Sequence, residues 1–497
     1  MSDDVDSISD AFTLQREDMA LPHDLMGGTK AMLRAGQRYI PQEYGEDRQD
    51  WQIRLNRTIL FNVYKRTLRY LSGRVFEKPV VLGEDVKDSR FEEFIENVDR
   101  LGRNLTVWGR HVFETGLNDG VTFCVVDFNS VNTRRVDGKM QYQREDGSWA
   151  DKTEAADREN GWGPYFIHVE AGRVLDARLE WKNDQPRITH FRYIETVEEQ
   201  DGKWGTRTYE RIRAFYLDEN KHAHWELWNN SSKNGGTDSW TPEAKGVFSA
   251  GVLPVVVFIP GEKRTPLTAE PALIDLAQLN KRHWQATCAQ YELMEYVRRP
   301  PWFGRNLGEF DADTGREKVI FGAGKLCHSK NPDAVLQSVG VDAGSVAAGR
   351  QELEDLENRM AIYGLQLLQP KTGVITATES QRDAEENNST LKAWALQFQD
   401  FLENCMALTA KWWKLPDGPS VKVNTEFANA FDASFLMEMY RAQVISGQTL
   451  LALVKNMGIL PDDFNVEDEA AKIAGGLMVN GTGAAGLAQS IKMEGIL

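Results

Sequence analysis

Cysteine is scarce in this chain, with four residues among 497, at Cys124, Cys288, Cys327 and Cys405. Their wide spacing forms neither a CxxC metal site nor a disulfide framework, and it suits a reducing compartment. Long apolar runs are also missing. The longest, Gly251–Pro260 (GVLPVVVFIP), is about half of what a membrane-spanning helix needs, so no membrane partner is expected. The N-terminus, MSDDVDSISD, has no basic stretch leading into an apolar one, and no secretory leader is expected. No repeat of fixed period is visible. Positive charge is short: 58 Lys and Arg face 74 Asp and Glu, a net charge of −16. That balance argues against a protein that wraps DNA in a basic surface. It leaves room for a local basic patch, or for DNA that passes without being gripped.

What is present describes a folded protein of two to four structural regions, with 14 Trp and 22 Phe for burial. The first twenty residues hold six acids and one Arg, and read as a mobile arm. Helical periodicity follows over Asp50–Leu71 and Phe91–Thr115. The pattern then turns to strands. Gly120–Phe128 (GVTFCVVDF) reads as a buried strand, and Asp137-Gly138, Asp146-Gly147 and Asp201-Gly202 supply hairpin turns. Residues 120–260 therefore read as an antiparallel meander closed by the apolar strand Val252–Ile259. From Pro266 the chain turns helical. Ala272–Arg299 has no internal Pro or Gly and stops at Pro300-Pro301, a rod of about 42 Å. A short segment of strand and turn signals separates it from a second helix over Gly344–Leu368, whose seam is Leu353, Leu356, Met360, Tyr363 and Leu367. A polar stretch then leads, by way of a Thr378–Gln381 capping box, to a third helix over Thr390–Trp413. It carries Leu391, Trp394, Phe398, Phe401, Cys405, Leu408 and Trp412 on one face. The C-terminal part returns to helices over Phe435–Ile445 and Thr449–Met457 and ends Gly-rich.

Several motifs fall short of the chemistry they suggest. FGAGK at Phe321–Lys325 lacks the first Gly of a P-loop, and Leu326 stands where Ser or Thr would bind Mg²⁺. Asp311–Gly315 opens like a calcium loop, but Gly322 occupies the closing position. His222 and His224 share a strand face with Glu226, a pair read as exposed strand residues before a metal site. His168 and His190 have no Ser, Cys or Asp partner that the sequence identifies. No catalytic, cofactor or metal residue is assigned, and no enzymatic activity is expected.

The order of parts, with SGRVFEKP at Ser72–Pro79, Thr376–Glu379 and ISGQTLLALVKNMGIL at Ile445–Leu460, resembles the portal proteins of tailed bacteriophages. The resemblance implies an α+β portal fold with an α/β wing, a two-helix stem, a small α/β clip, a tunnel loop, a long wing helix and a helical crown. It divides the chain into an N-terminal arm (1–27), wing (28–265), first stem helix (266–299), clip (300–341) and second stem helix (342–368). The tunnel loop (369–380), the long wing helix with a strand (381–430), and the crown with a C-terminal tail (431–497) complete it. It also implies a homo-oligomeric ring, a dodecamer in the family, at one capsid vertex of the virion, assembled in the host bacterial cytoplasm. Double-stranded DNA would pass the channel during packaging and ejection. Terminase, head–tail adaptor and tail proteins would dock on the ring, and the major capsid and scaffolding proteins would surround it. Lys371, with Thr372 and Gly373, falls in the implied tunnel loop as a DNA-facing candidate; Lys371 reads equally as a solvated loop residue. Arg298, Arg299, Arg305, Arg316, Lys318, Lys325 and Lys330 cluster about the clip as a candidate docking surface. Ion pairing between subunits with Glu309, Asp311, Asp313 and Glu317 is the equal alternative. Another phage head protein, adaptor or capsid, and a cytoplasmic enzyme are the competing readings.

Overall fold

A computed structural model provides the coordinates. It describes residues 4–128, 133–136, 139–144, 146–153, 156, 160–182, 185–230, 240–248, 252–306, 310–311, 316–317, 331–340, 342–363, 377–425, 427, 440–441, 447 and 450–451. The chain is α+β and divides into two compact units. The first is Met1–Ser380 with Ser389–Thr425, and the second is Gln381–Asn388 with Glu426–Leu497.

In the first unit the acidic N-terminus is not an arm. Helix α1 spans Asp10–Gly27 and buries Phe12, Gln15, Met19 and Leu25 on one side. Asp10 and Glu17 are exposed, while Asp18 and Asp24 are half-buried against Arg264 and Tyr39, which is why composition alone hides the pattern. Residues before α1 are tied down too, since Ser9 N–H donates to Leu175 and the Arg192 guanidinium to the carbonyl of Val5. Helix α2 (Thr29–Ala35) comes next. The helix expected over Asp50–Leu71 is two, α3 (Arg48–Arg57) and α4 (Val63–Val75). Asn62 starts the second by accepting from Lys65 N–H at 2.9 Å, and α4 continues through Ser72-Gly73. Strand β1 (Val81–Leu82) precedes another split. The helix expected over Phe91–Thr115 divides into α5 (Arg90–Phe94) and α6 (Leu105–Asp119), with Asn104 capping α6 through Val107 N–H.

Strands β2 (Thr122–Phe128), β3 (Thr133–Val136), β4 (Lys139–Gln143), β5 (Trp149–Asp151) and β6 (Pro164–Glu170) succeed α6. Then come β7 (Val174–Lys182), β8 (Gln185–Asp201), β9 (Gly205–Leu217), β10 (Ala223–Asn230), β11 (Trp240–Val247) and β12 (Val255–Phe258). Strands β7–β11 form one meander, in the order β11-β10-β9-β8-β7, and β3-β4-β5 form a smaller antiparallel one. Gly202, at φ +68°, turns β8 into β9. The apolar β12 does not close that sheet. It pairs with β2, which also pairs with β6, in a separate three-stranded sheet. Both edges of β2 are therefore paired, and its inner residues Phe123, Cys124, Val125 and Val126 are fully buried, as a central apolar strand requires. Phe12, Phe123, Phe191, Phe215 and Phe248 join the two sheets and α1 in one core.

The C-terminal end of α6 is held from two sides. Its carbonyls at Leu117 and Asp119 accept from Ala272 N–H and from the Gln15 side chain (2.6 Å). Strands β13 (Glu262–Thr265) and β14 (Thr268–Glu270) lead into α7 (Ile274–Arg298), a helix of 25 residues. Strands β15 (Trp302–Arg305), β16 (Phe310–Asp311), β17 (Arg316–Glu317) and β18 (Val335–Ser338) separate it from α8 (Ala343–Tyr363). Helix α9 runs Ala377–Trp412, and β19 (Val421–Lys422) pairs with β1. Within the first unit α9 buries Leu391, Ala395, Phe398, Leu402, Cys405 and Thr409. The Phe398 ring packs against Phe76, Phe113, Phe258 and Phe401 at centroid distances of 5.0–5.8 Å. Of the second unit, Tyr440, Arg441, Gly447, Leu450 and Leu451 are helical and Leu450 is buried. Most of the expected crown lies outside the described residues.

Candidate functional site: a two-helix stem and its strand tip

Helix α7 has two halves. Through Cys288 it is a core helix, burying Leu276, Ala277, Asn280, His283, Trp284, Ala286 and Thr287. Asn280 carries the join: its Oδ1 accepts from Tyr64 N–H at 2.9 Å and its Nδ2 donates to the Phe61 carbonyl at 3.0 Å. A fully buried amide is tolerated there because both ends are paired. Nearby, Arg54 of α3, itself held by Glu46, approaches Glu292 at 3.8 Å.

Helix α8 runs antiparallel to α7. Arg282 meets Glu352 at 2.6 Å and His283 meets Glu357 at 3.4 Å, while farther along α7 the Gln290 amide donates to the Val346 carbonyl at 3.3 Å. Burial lowers the pKa of His283, against the pull of Glu357. Leu356 and Met360 bury against the base of the stem. A shallow groove of about 410 Å³ follows the two helices, lined by Arg282, Ala348, Gln351, Glu352, Asp355, Leu356 and Arg359.

Beyond Cys288 the core stops but the helix does not. Tyr291, Tyr296 and Val297 are exposed, and the stem ends in the antiparallel ribbon β15–β18, registered Trp302↔Ser338 to Arg305↔Val335. Val339 N–H extends it by donating to the Pro301 carbonyl at 2.8 Å. Trp302 and Phe303 are 51% and 56% exposed, and Val339, just after the return strand, is 56% exposed. A lone two-stranded ribbon is at best marginal in water, and these rings have no core of their own. The second small pair, β16–β17, sets Asp311 opposite Arg316 along the backbone.

Of the arginines singled out at the clip, Arg298, Arg299 and Arg305 are exposed around the tip, and Arg298 pairs within its helix with Glu295 at 3.4 Å. Arg316 lies on β17. Lys318, Lys325, Lys330, Lys371, Thr372 and Gly373 fall outside the described residues. The exposed aromatics Tyr291, Tyr296, Trp302 and Phe303 were not singled out by sequence. Their signal is faint, because aromatics on a helix are read as core by default.

The sites set aside on sequence have structural explanations. His222 and His224 both turn onto Asp218 Oδ2, at 3.3 and 3.1 Å. His168 bonds Thr122 Oγ1 at 2.8 Å, and burial, with His111 and Arg103, pushes its pKa down to about 3. His190 is pushed down to about 4 by burial and Arg192. Among the described residues, no group of three or more His, Cys, Asp or Glu side chains could hold a metal, and no helix is long and apolar enough to cross a membrane.

A family model described as a domain of unknown function (DUF4055) matches residues 272–413, the span of α7, the tip, α8 and α9. No curated protein matches. Among solved structures the chain is similar to one from the neck of an empty gene transfer agent (GTA) particle computed with C6 symmetry. The two are 11% identical with a TM-score of 0.41, over 86% of this chain and 93% of that one. A chain from the virion of a native GTA particle is 9% identical with a TM-score of 0.37, over 86% and 92%. One from the neck of a native GTA particle computed with C12 symmetry is also 9% identical, with a TM-score of 0.36, over 79% and 89%.

Proposed function

We propose that this chain is a portal subunit of a tailed-phage-like particle. Copies close head-to-tail into a ring, as a dodecamer in the capsid, around a channel through which double-stranded DNA is packaged and ejected. The observation that carries the reading is the stem: two antiparallel helices, with the outer half of α7 and the strand tip exposing apolar side chains on several faces that one chain cannot cover. A contact that repeats around an axis covers such side chains from both sides and yields a closed ring. The tip, with Arg298, Arg299 and Arg305, is the docking surface for terminase and later for adaptor and tail proteins, with Arg316, Lys318, Lys325 and Lys330 in the same segment. The loop bearing Lys371, Thr372 and Gly373 faces passing DNA. An overall charge of −16 suits a conduit, because continuous basic lining would hold phosphates and brake translocation. The role is structural, with no reaction catalysed.

Cryo-EM of the full-length protein tests this. A flanged ring with a central hole is the expected particle. A monomer at every concentration, or a closed shell, overturns the reading.

A further inference from the structure

Charge is unevenly spread over the first unit. Residues 29–78 hold eleven Lys and Arg against five acids, a net of +6 in a chain of net −16. Hydrogen bonds gather part of this excess into one surface. Asn62 donates to the Leu25 carbonyl at 2.6 Å, Lys65 to Met26 at 2.8 Å, and Leu60 N–H to Thr29 Oγ1 at 3.4 Å. They set the first turn of α4 beside the α1–α2 junction. Lys30 and Arg34, one turn apart on α2, and Arg66 and Arg69, one turn apart on α4, are all exposed there. None of the four forms an ion pair among the described residues. Ile59 and Phe61, in the α3–α4 link beside them, are 64% and 45% exposed.

A second surface has the opposite sign. Residues 84–99 hold seven acids against two basic residues, a net of −5. Glu92, Glu93 and Glu96, on and just after α5, are exposed and form no ion pair among the described residues. Three nearby arginines are occupied: Arg90 grips Asp88 at 2.7 Å, Arg103 pairs with Asp99, and Arg100 donates to the Gly163 carbonyl, while Lys87 is exposed. Here too apolar side chains lie open, with Leu101 and Val107 at 78% and 55%. Leu105 N–H bonds the Ile95 carbonyl at 2.7 Å, which holds the loop bearing Leu101 against α5.

Each surface thus carries a pair of open apolar side chains next to unpaired charge, and the signs are opposite. A head-to-tail contact needs two different patches on one chain that fit each other. We infer that the Lys30–Arg34–Arg66–Arg69 surface of one copy docks on the Glu92–Glu93–Glu96 surface of a second copy. The inference rests on the ring reading above and adds to it a charged contact between neighbouring wings. Exposed interface charges set register and on-rate, and they make assembly salt-dependent.

The test uses two full-length variants, Arg66→Glu/Arg69→Glu and Glu92→Lys/Glu93→Lys/Glu96→Lys, with circular dichroism to confirm that both fold. Mass photometry follows assembly. Each variant alone should raise the concentration for half-assembly roughly tenfold or more. Mixing the two in equal amounts should restore rings of alternating composition, because one junction then joins the two unaltered surfaces and the other sets the introduced acids against the introduced lysines. If both variants assemble as the wild type does, or if mixing restores nothing, the inference fails while the ring reading stands. If Arg66→Glu/Arg69→Glu weakens binding of a short DNA duplex and leaves assembly unchanged, the surface belongs to nucleic acid and the inference also fails. A wild type that never assembles overturns the ring reading itself.

Discussion

His23 and His168 sit in opposite electrostatic settings, and their titrations should act on stability with opposite signs. His23 of α1 lies 2.7 Å from the fully buried Asp119 carboxylate, and that hydrogen bond raises its pKa, against the opposing effect of burial. A raised folded pKa means that the stabilisation is complete below the unfolded value of about 6.5 and is lost as pH rises through the folded one. His168 is the reverse. Its folded pKa, pushed to about 3, means that the unfolded chain takes up its proton first, so stability falls as pH drops below the unfolded value. Urea midpoints should therefore decline in the wild type as pH rises above about 6.5, and decline less in His23→Gln. His168→Gln should flatten the acid side instead. At this scale the exposed Arg298, Arg299 and Arg305 were legible in the sequence, because a run of cations beside a Pro-Pro stop has few places to hide. The Asn280 clamp was not, since a single polar residue in an apolar helix gives no hint of which backbone groups it will meet.

Elements were legible where the chain forbids interruption and illegible where a side chain supplies it. Helix α7 lacks Pro and Gly and ends at Pro300, so its span was plain. The breaks before α4 and α6 were not, because each depends on one Asn taking the cap while the apolar period runs on almost unbroken. Helix α1 was hidden by its acids, and β12 was assigned to the wrong sheet because an apolar strand names no partner. The turn after α6 offers a test. Gly120 has φ +81°, and a Cβ there would lie 2.5 Å from the carbonyl oxygens of both Ala269 and Glu270. Gly120→Ala should destabilise by on the order of 3 kcal/mol, measured by urea unfolding, because backbone on both sides leaves nothing flexible to yield.

For the whole molecule, the exposed aromatics of the stem tip separate folding from assembly. Trp302 and Phe303 contribute little core within one chain, so Trp302→Gln/Phe303→Gln should leave far-UV circular dichroism and the folded core intact. The same change should raise the concentration needed for ring formation about tenfold or more, since buried aromatic anchors dominate interfaces. Analytical ultracentrifugation reads that shift directly.

The ribbon at the stem's end has a further consequence, in the language of hydrogen exchange. Among the described residues, its four registered pairs, Trp302↔Ser338 to Arg305↔Val335, are joined to the folded core through α7 and α8. Local opening there should cost far less than global unfolding. If neighbours cover the tip, that opening becomes linked to association by mass action. Amide protection at Phe303 and Arg305 should then rise with protein concentration, while protection in the buried β2 stays constant.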